Sequence, residues 1–193
     1  MTIKHRISFF LILFGFVALS QNVKINIAPI NIHESIPRVI GLDFENYIKN
    51  MHRLECGVAY YFSTPQYSGD GEYEGLRIRM SYKLYLKKDI QYQSYFIAPS
   101  IYYLHTSVPE YDEPFVYQTK GIRNAFGFGL RFGYQKILAK RLIIGAYLNP
   151  ILYYNNIYKE FDDGSKQDYY KNTFEVEIGV CFGFIFGKLN NHK

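Results

Sequence analysis

The segment that decides the fold is Thr173–Gly187, which reads TFEVEIGVCFGFIFG. Every second residue from Phe174 to Phe186 is apolar, whereas the intervening residues, apart from Ile185, are acidic, small or polar. Successive side chains of a β-strand point to opposite faces, so this alternation predicts a strand with one apolar face and one polar face. A helix would distribute the same phenylalanines around its whole circumference.

The period of two recurs along the rest of the chain. The clear copies are 73–86 and 122–134, the weaker ones are 23–28, 40–45, 54–62 and 142–152, and 95–105 has apolar residues on both faces. We therefore predict an all-β chain of eight antiparallel strands, with no helix after residue 20. Short links at 49–52, 87–89 and 139–140 alternate with long ones at 65–72, 108–120 and 158–172, which is typical of an up-and-down barrel with two different ends.

The amino terminus has the pattern of an export signal rather than of a strand. The basic residues 4–6 precede the apolar run Ile7–Leu19, and the small residues Ala18 and Ser20 fit a cleavage site. A membrane-spanning helix needs roughly 17–25 apolar residues, which is more than this run supplies. We therefore predict a cleaved signal peptide at 1–20 and a single β-barrel domain at 21–193.

The volume of the apolar faces indicates which way they point. Together they hold far more Phe, Tyr, Leu and Ile than the roughly twelve side chains that fill the interior of a comparable barrel. The opposite faces carry Gly, Ala, Ser and charged residues, which do fit a narrow interior. We therefore predict a transmembrane barrel that turns its apolar face toward lipid. The alternative that this argument disfavours is a secreted lipocalin-like carrier, which would turn that face inward.

The charged residues on the polar faces of the strands nearly balance. The basic ones are Lys24, Arg77, Arg79, Lys83, Arg123 and Arg131, and the acidic ones are Asp43, Glu45, Glu55, Glu175 and Glu177. Because buried charges must be paired, opposite signs across a narrow barrel predict an ion-pair network that plugs the lumen. The alternative is that some of these side chains lie at the mouths of the barrel and are solvated.

Composition excludes several other classes of protein. Of the 193 residues 19% are aromatic, which excludes a disordered chain, and the two cysteines exclude both a disulfide scaffold and a four-cysteine metal site. Basic residues lie on the short links and acidic ones on the long connections, so the net charge of +5 predicts no nucleic-acid partner. Tyrosines near strand ends predict aromatic girdles at the headgroup level: Tyr47, Tyr60, Tyr61, Tyr82, Tyr102, Tyr103, Tyr134, Tyr153 and Tyr154.

The predicted signal peptide, the eight alternating strands and the aromatic last strand resemble small eight-stranded outer-membrane barrels of the OmpA/OmpX type, and most of all the stand-alone barrels of Gram-negative Bacteroidetes. Glu177-x-Gly179-x-x-Phe182-x-Phe184 is similar to the β-signal that such proteins present to the barrel insertion machinery. Relatives often end on the aromatic residue, whereas this chain continues through 188–193. The resemblance implies a monomer in the cell outer membrane, in contact with membrane lipid and lipopolysaccharide.

Two short motifs contain residue types that occur in catalytic or metal sites. His105-x-Ser107, with Glu110 or Glu113 to orient the imidazole, has the residue types of an activated serine and is similar to the H-x-S of outer-membrane lipid A deacylases. Val108 stands where that family has Asn. The run 162–165 with Asp168 has oxygen ligands for calcium but lacks the twelve-residue spacing that ends in Glu, so a solvated turn is expected.

Cys56 and Cys181 are both assigned to apolar faces, where a cysteine behaves as a small hydrophobe. They fall on the third and eighth strands, which are too far apart in a closed meander to form a disulfide.

We predict no catalytic, cofactor-binding or metal-binding residue and no cofactor. The function expected is therefore that of a non-enzymatic barrel in envelope structure, adhesion or small-ligand binding through its outer loops, with a lipid-modifying enzyme as the alternative.

Overall fold

The computed structural model describes residues 22–31, 37–49, 51–63, 74–86, 93–108, 118–139, 141–161 and 164–186. They form eight strands: β1 Asn22–Asn31, β2 Pro37–Lys49, β3 His52–Ser63, β4 Glu74–Tyr85, β5 Gln93–Val108, β6 Gln118–Leu138, β7 Leu142–Phe161 and β8 Lys166–Ile185. Each strand pairs antiparallel with the next, and β8 pairs with β1, so the sheet closes into a barrel. The predicted fold class is confirmed. None of the described segments is a helix with the length and hydropathy needed to cross a membrane.

The register of the strands determines the width of the barrel. Following cross-strand partners from Ile27 through β2 to β7 leads to Tyr170 on β8, whereas Ile27 itself pairs with Val180 across the closing edge. The two positions on β8 are ten residues apart, which is the shear of the barrel. Eight strands with this shear tilt by about 40° and enclose a cylinder of about 8 Å radius, measured to the backbone.

The two faces of the sheet have the composition predicted from the alternation. Phe126 and Phe128 on β6 and Phe182 on β8 are 64%, 59% and 51% exposed on the outer wall. The polar face points inward and is buried, with Glu55 and Glu177 both fully enclosed. Segment 95–105, whose facing was ambiguous from sequence, places Phe96, Ala98, Ser100, Tyr102 and Leu104 inside.

The two ends of the barrel differ in shape. At the short-turn end, the turn at Ala139 is tight and the Arg141 N–H donates to the Leu138 carbonyl at 3.1 Å. At the long-loop end, β6, β7 and β8 have 21, 20 and 20 residues, whereas β1 has 10. β1 last pairs with β8 at Glu177, so the upper part of β8 projects roughly 25 Å beyond the end of β1.

The long connection predicted at 158–172 is therefore wrong in its length. β7 continues to Phe161 and β8 begins at Lys166, so most of that segment is a hairpin. The reason is that the backbone pairing of β7 with β8 continues above the barrel, and Glu160 pairs with Lys166 in the last rung. The signal-peptide prediction, at 1–20, lies outside the described residues.

Candidate functional site

The interior of the barrel is the first candidate site, because it collects charged side chains that a protein core normally excludes. All the side chains predicted to be lumenal charges do point inward. All but one are almost fully buried, and the exception, Arg123, has a side chain that is 12% exposed. The predicted ion-pair network is confirmed, and the alternative that its members are solvated at the mouths is wrong for nearly all of them.

Glu55 is the hub of the network. Its carboxylate accepts from Lys24 Nζ at 2.5 Å and from Arg79 at 3.0 Å, lies 3.6 Å from Lys83 Nζ, and also pairs with Arg131. One carboxylate thus contacts four cations contributed by β1, β4 and β6. Each cation has a second acid: Glu45 lies 2.6 Å from Lys24 and 3.0 Å from Lys83, and Asp43 pairs with both arginines.

Two further ion pairs lie nearer the long-loop end. Arg77 on β4 pairs with Glu177 on β8, and the Asn149 amide donates to the other Glu177 oxygen at 2.9 Å. Arg123 on β6 lies 3.2 Å from Glu175 and donates from Nε to Asn155 at 2.6 Å. Ion pairs therefore cross the lumen at several levels rather than lining one wall.

Aromatic side chains separate these ion pairs into layers. One buried cluster lies toward the long-loop end and contains Val39, Tyr61, Tyr102, Leu104, Ala125, Ile151 and Tyr153. A second contains Tyr85, Phe96, Ala98 and Tyr147, and a third, at the short-turn end, contains Ile137, Ile143 and Ile185. The girdle predicted from sequence is therefore wrong for three of its members, Tyr61, Tyr102 and Tyr153, because these rings fill the lumen.

Interior glycines make room for these rings. Gly127 lies between Tyr102 on β5 and Tyr153 on β7 in the register, and a Cβ atom added to it would run into the Tyr153 ring. A Cβ atom added to Gly179 would run into the Tyr147 ring in the same way. The inward direction of these rings was not predicted from the sequence. The pattern that indicates it is an aromatic residue on the polar face of one strand that lies opposite a glycine of the neighbouring strand.

The filled lumen can act as a rigid plug but not as a wide channel. Its ion pairs join six basic and five acidic residues, and each of these acids contacts at least one cation. Aromatic rings also contact cations inside it, as where Lys83 Nζ lies 4.0 Å from the Phe96 ring centre and Arg131 lies 5.3 Å from that of Tyr147. A pore would need water where these side chains lie, so the geometry favours structural rigidity over conduction.

The second candidate, His105 with Ser107, lies on the outer wall. Both side chains are exposed, and the His105 ring contacts Asn124, with Nδ1 lying 2.7 Å from the Asn124 Oδ1 atom. Glu110 and Glu113 lie outside the described residues. The structure therefore shows the imidazole oriented by an amide of β6. The described acid beside the pair is Glu74, which lies opposite Ser107 and accepts from the Tyr60 hydroxyl.

Asp168 and the two cysteines lie on β3 and β8. Asp168 is an exposed residue of β8, and residues 162–163 lie outside the described residues. Within the described part of the chain, no cluster of His, Cys, Asp and Glu could hold a metal ion. Both cysteines are free thiols, as predicted, but Cys181 points into the lumen beside Gly145, so its assignment to the apolar face was wrong. It occupies an inward position of the last strand, two residues beyond Gly179.

The tip of the β7–β8 hairpin is polar and exposed. Lys166 Nζ lies 3.7 Å from Glu160, and this carboxylate raises the pKa of the Lys166 amine. Tyr170 on the outer face of β8 is 80% exposed. This part of the sheet is therefore exposed to solvent and does not pack into a buried core.

No family model matches the chain, and no curated protein matches it. Among solved structures, the chain is similar to the N-terminal β-barrel domain of Pseudomonas aeruginosa OprF. The match has 8% sequence identity and a TM-score of 0.48, and it covers 86% of this chain and 98% of that chain.

Proposed function

We propose that this protein is an integral outer-membrane β-barrel protein whose lumen is closed by its own side chains and which has no enzymatic activity. The observation that carries the proposal is the apolar belt on the outer wall. Along β4 the outward side chains from Leu76 to Leu86 are all apolar or tyrosine, and along β8 those from Phe174 to Phe186 are all apolar. With a tilt of about 40°, these runs are about 25–30 Å high.

A belt of this height matches the apolar band of transmembrane barrels, which is about 25 Å tall. Its rings are not buried by the protein: Phe174, Phe184 and Phe186 are 53%, 52% and 71% exposed. A soluble protein rarely exposes so large a continuous apolar surface. A lipocalin-like carrier is disfavoured for the same reason, because it would bury this face and solvate the charges that are buried here.

The proposal extends to location, assembly and partners. We place the protein in the cell outer membrane as a monomer, surrounded by membrane lipid and lipopolysaccharide and inserted by the barrel insertion machinery. Phe182 and Phe184 of the β-signal-like motif support this, because they lie exposed on the closing strand β8. The role in envelope structure, adhesion or small-ligand binding belongs to the long-loop end, since the lumen is filled.

Membrane fractionation followed by gel electrophoresis with and without heating tests this function. The expected result is recovery in the outer-membrane fraction, with a folded band that shifts on heating. Recovery as a soluble periplasmic protein would overturn the proposal. In planar bilayers the purified protein should show no large steady conductance, and such a conductance would contradict the closed lumen.

A further inference from the structure

The outer wall carries a row of hydrogen-bonding side chains immediately above the apolar belt. His105 on β5, Asn124 on β6, Asn156 on β7 and Tyr170 on β8 are successive cross-strand partners, so they lie side by side on one line. We call these four residues the outer row. It crosses three strand spacings, which is about 14 Å, and it rises toward the long-loop end because the strands are tilted.

Hydrogen bonds within the outer row fix which groups remain to bind a ligand. The Asn124 Oδ1 atom accepts from the Tyr103 hydroxyl at 3.2 Å and lies 2.7 Å from His105 Nδ1, which must therefore be the donor. This leaves the Nε2 atom of a neutral His105 as an acceptor and the Asn124 Nδ2 amide as a donor. The Asn156 amide donates to the Tyr170 hydroxyl at 3.5 Å, which leaves Asn156 Oδ1 as an acceptor and the Tyr170 proton as a donor.

Acceptors and donors thus alternate along the outer row. A hydroxyl group both donates and accepts, so a chain of neighbouring hydroxyl groups complements such a row, whereas a phosphate offers acceptors only. The exposed rings that border the row favour the same ligand, because a sugar presents an apolar face as well as hydroxyls.

The charges next to the outer row also disfavour an anionic ligand. Among the described side chains that point outward on β4–β8 within two residues of this line, the charged ones are Glu74 and Asp168, whereas Lys166 lies further along the same face of β8 and pairs with Glu160. Glu74 is exposed and accepts from the Tyr60 hydroxyl. Two carboxylates beside the row would repel a phosphate, so the row suits a neutral headgroup.

The belt directly below the outer row supplies a surface for lipid chains. Tyr103 and Phe126 stack with ring centres 5.2 Å apart, and Tyr154 meets Phe128 at 6.4 Å. Phe126 is 64% exposed and Tyr154 is 49% exposed. A ligand that covers both surfaces has apolar chains alongside these rings and a polar headgroup at the row.

The geometry points to the outer row as a binding site for the neutral sugar headgroup of a glycolipid, whose acyl chains lie against the belt below. This inference rests on the proposed function, because the chains reach the belt only if the barrel is embedded in a membrane. It adds to that function a named surface and one chemical class of ligand.

Vesicle experiments test the site directly. The folded barrel is reconstituted into dioleoyl phosphatidylcholine vesicles that contain a diglucosyl diacylglycerol, dioleoyl phosphatidylglycerol or neither, and the lipid retained after detergent extraction is measured by mass spectrometry. We expect the glucolipid to be enriched about tenfold over phosphatidylglycerol, which corresponds to one or two net hydrogen bonds. Free diglucoside should compete weakly, because it lacks the chains.

Variants test whether the outer row is responsible for the enrichment of the glucolipid. Asn124→Ala with Asn156→Ala should abolish the enrichment, and Tyr170→Phe, which removes a single hydroxyl, should reduce it severalfold. Ser107→Ala is the matched control, because Ser107 is exposed on the same face of β5 but lies outside the row, and it should retain full enrichment. Equal retention of the two test lipids, a preference for phosphatidylglycerol, or undiminished enrichment in the Asn double variant and Tyr170→Phe would overturn the inference.

The shift of the folded gel band on heating distinguishes failure of the glycolipid site from failure of the proposed function. If wild-type protein inserts and shifts on heating but does not enrich the glucolipid, the site is wrong and the membrane barrel stands. If wild-type protein does not insert into any of the vesicles, the proposed function itself fails.

Discussion

Glu55 contacts the most cations in the lumen, yet we expect its loss to destabilise the barrel less than the loss of Glu177. In Glu55→Gln the four cations around the hub lose one carboxylate. Lys24 and Lys83 keep Glu45, and Arg79 and Arg131 keep Asp43, so no cation is left without an acid. Removing one partner of a buried ion pair typically costs about 3–5 kcal/mol of unfolding free energy. Because every cation keeps a second acid, we expect Glu55→Gln to lie at the lower limit, about 3 kcal/mol.

Glu177→Gln leaves a different situation. Arg77 is 2% exposed, and Glu177 is the one acid within ion-pair distance of it among the described residues. Its Nε atom is buried without a hydrogen-bond partner, as are those of Arg79 and Arg131, and the Arg77 guanidinium also lies 5.5 Å from the centre of the uncharged Tyr102 ring. The substitution therefore leaves a buried charge unpaired, and we expect a loss at the upper limit of the range, about 5 kcal/mol.

Urea unfolding in lipid vesicles measures both losses, with the fraction folded read from the heat-sensitive gel band. The chain contains no tryptophan, so circular dichroism is the suitable second probe. The two substitutions have the same chemistry, which makes each the control for the other. A larger loss for Glu55→Gln than for Glu177→Gln would refute the reasoning from second partners, and losses below about 1 kcal/mol for both would show that water screens the lumen.

Four more predictions concern the wall, the turn and the thiols. Phe128→Arg should block insertion or weaken it by about 2–4 kcal/mol, because it places a cation against lipid. As a control, Tyr170→Arg above the belt should change stability in urea by less than about 0.5 kcal/mol. If Phe128→Arg inserted as well as wild type, Phe128 would not face lipid. Ser107→Ala should leave the acyl chains of lipid A unchanged in mass spectra, and a Ser107-dependent loss of a chain would favour the enzyme. Ala139→Gly should stabilise the barrel by about 1 kcal/mol in urea unfolding, because Ala139 has φ of 48°, and a loss of stability would contradict strain at this turn. Both cysteines should react with a water-soluble maleimide only after unfolding, and the intact mass should lack the two-hydrogen deficit of a disulfide.

The outward face was predictable from sequence because a surface that we propose faces lipid follows a simple rule. Every outward position in the belt must be apolar, so the alternation is nearly unbroken in β4, β6 and β8, and the facing of Phe128 and Phe182 follows from it. The lumenal charges were predictable for the same reason, since Arg77, Glu55 and Glu177 alternate with those apolar residues.

The interior rings could not be assigned by that rule, because the lumen accepts both polar and apolar side chains. Tyr102 has apolar neighbours on either side, and its direction depends on Gly127 across the strand pair, which no local pattern includes. The upper halves of β7 and β8 were missed because the apolar belt ends below them: Asn156 and Asn172 replace the apolar residues there, and the alternation that marks a strand disappears although the strand continues.

The lumenal network predicts that closure of this barrel is cooperative. Arg77 and Glu177 are 100 residues apart in the chain, and Arg131 is 76 residues from Glu55, so neither pair forms within one hairpin. Until the strands meet, each of these charges faces lipid or water without its partner, and a charge near the middle of the bilayer costs several kcal/mol. A partly assembled sheet in the membrane therefore gains the apolar contacts of its outer face but not the ion pairs. Because β8 carries Glu175, Glu177 and the edge that pairs with β1, the strand that closes the wall also brings the acids that pair with Arg77 and Arg123.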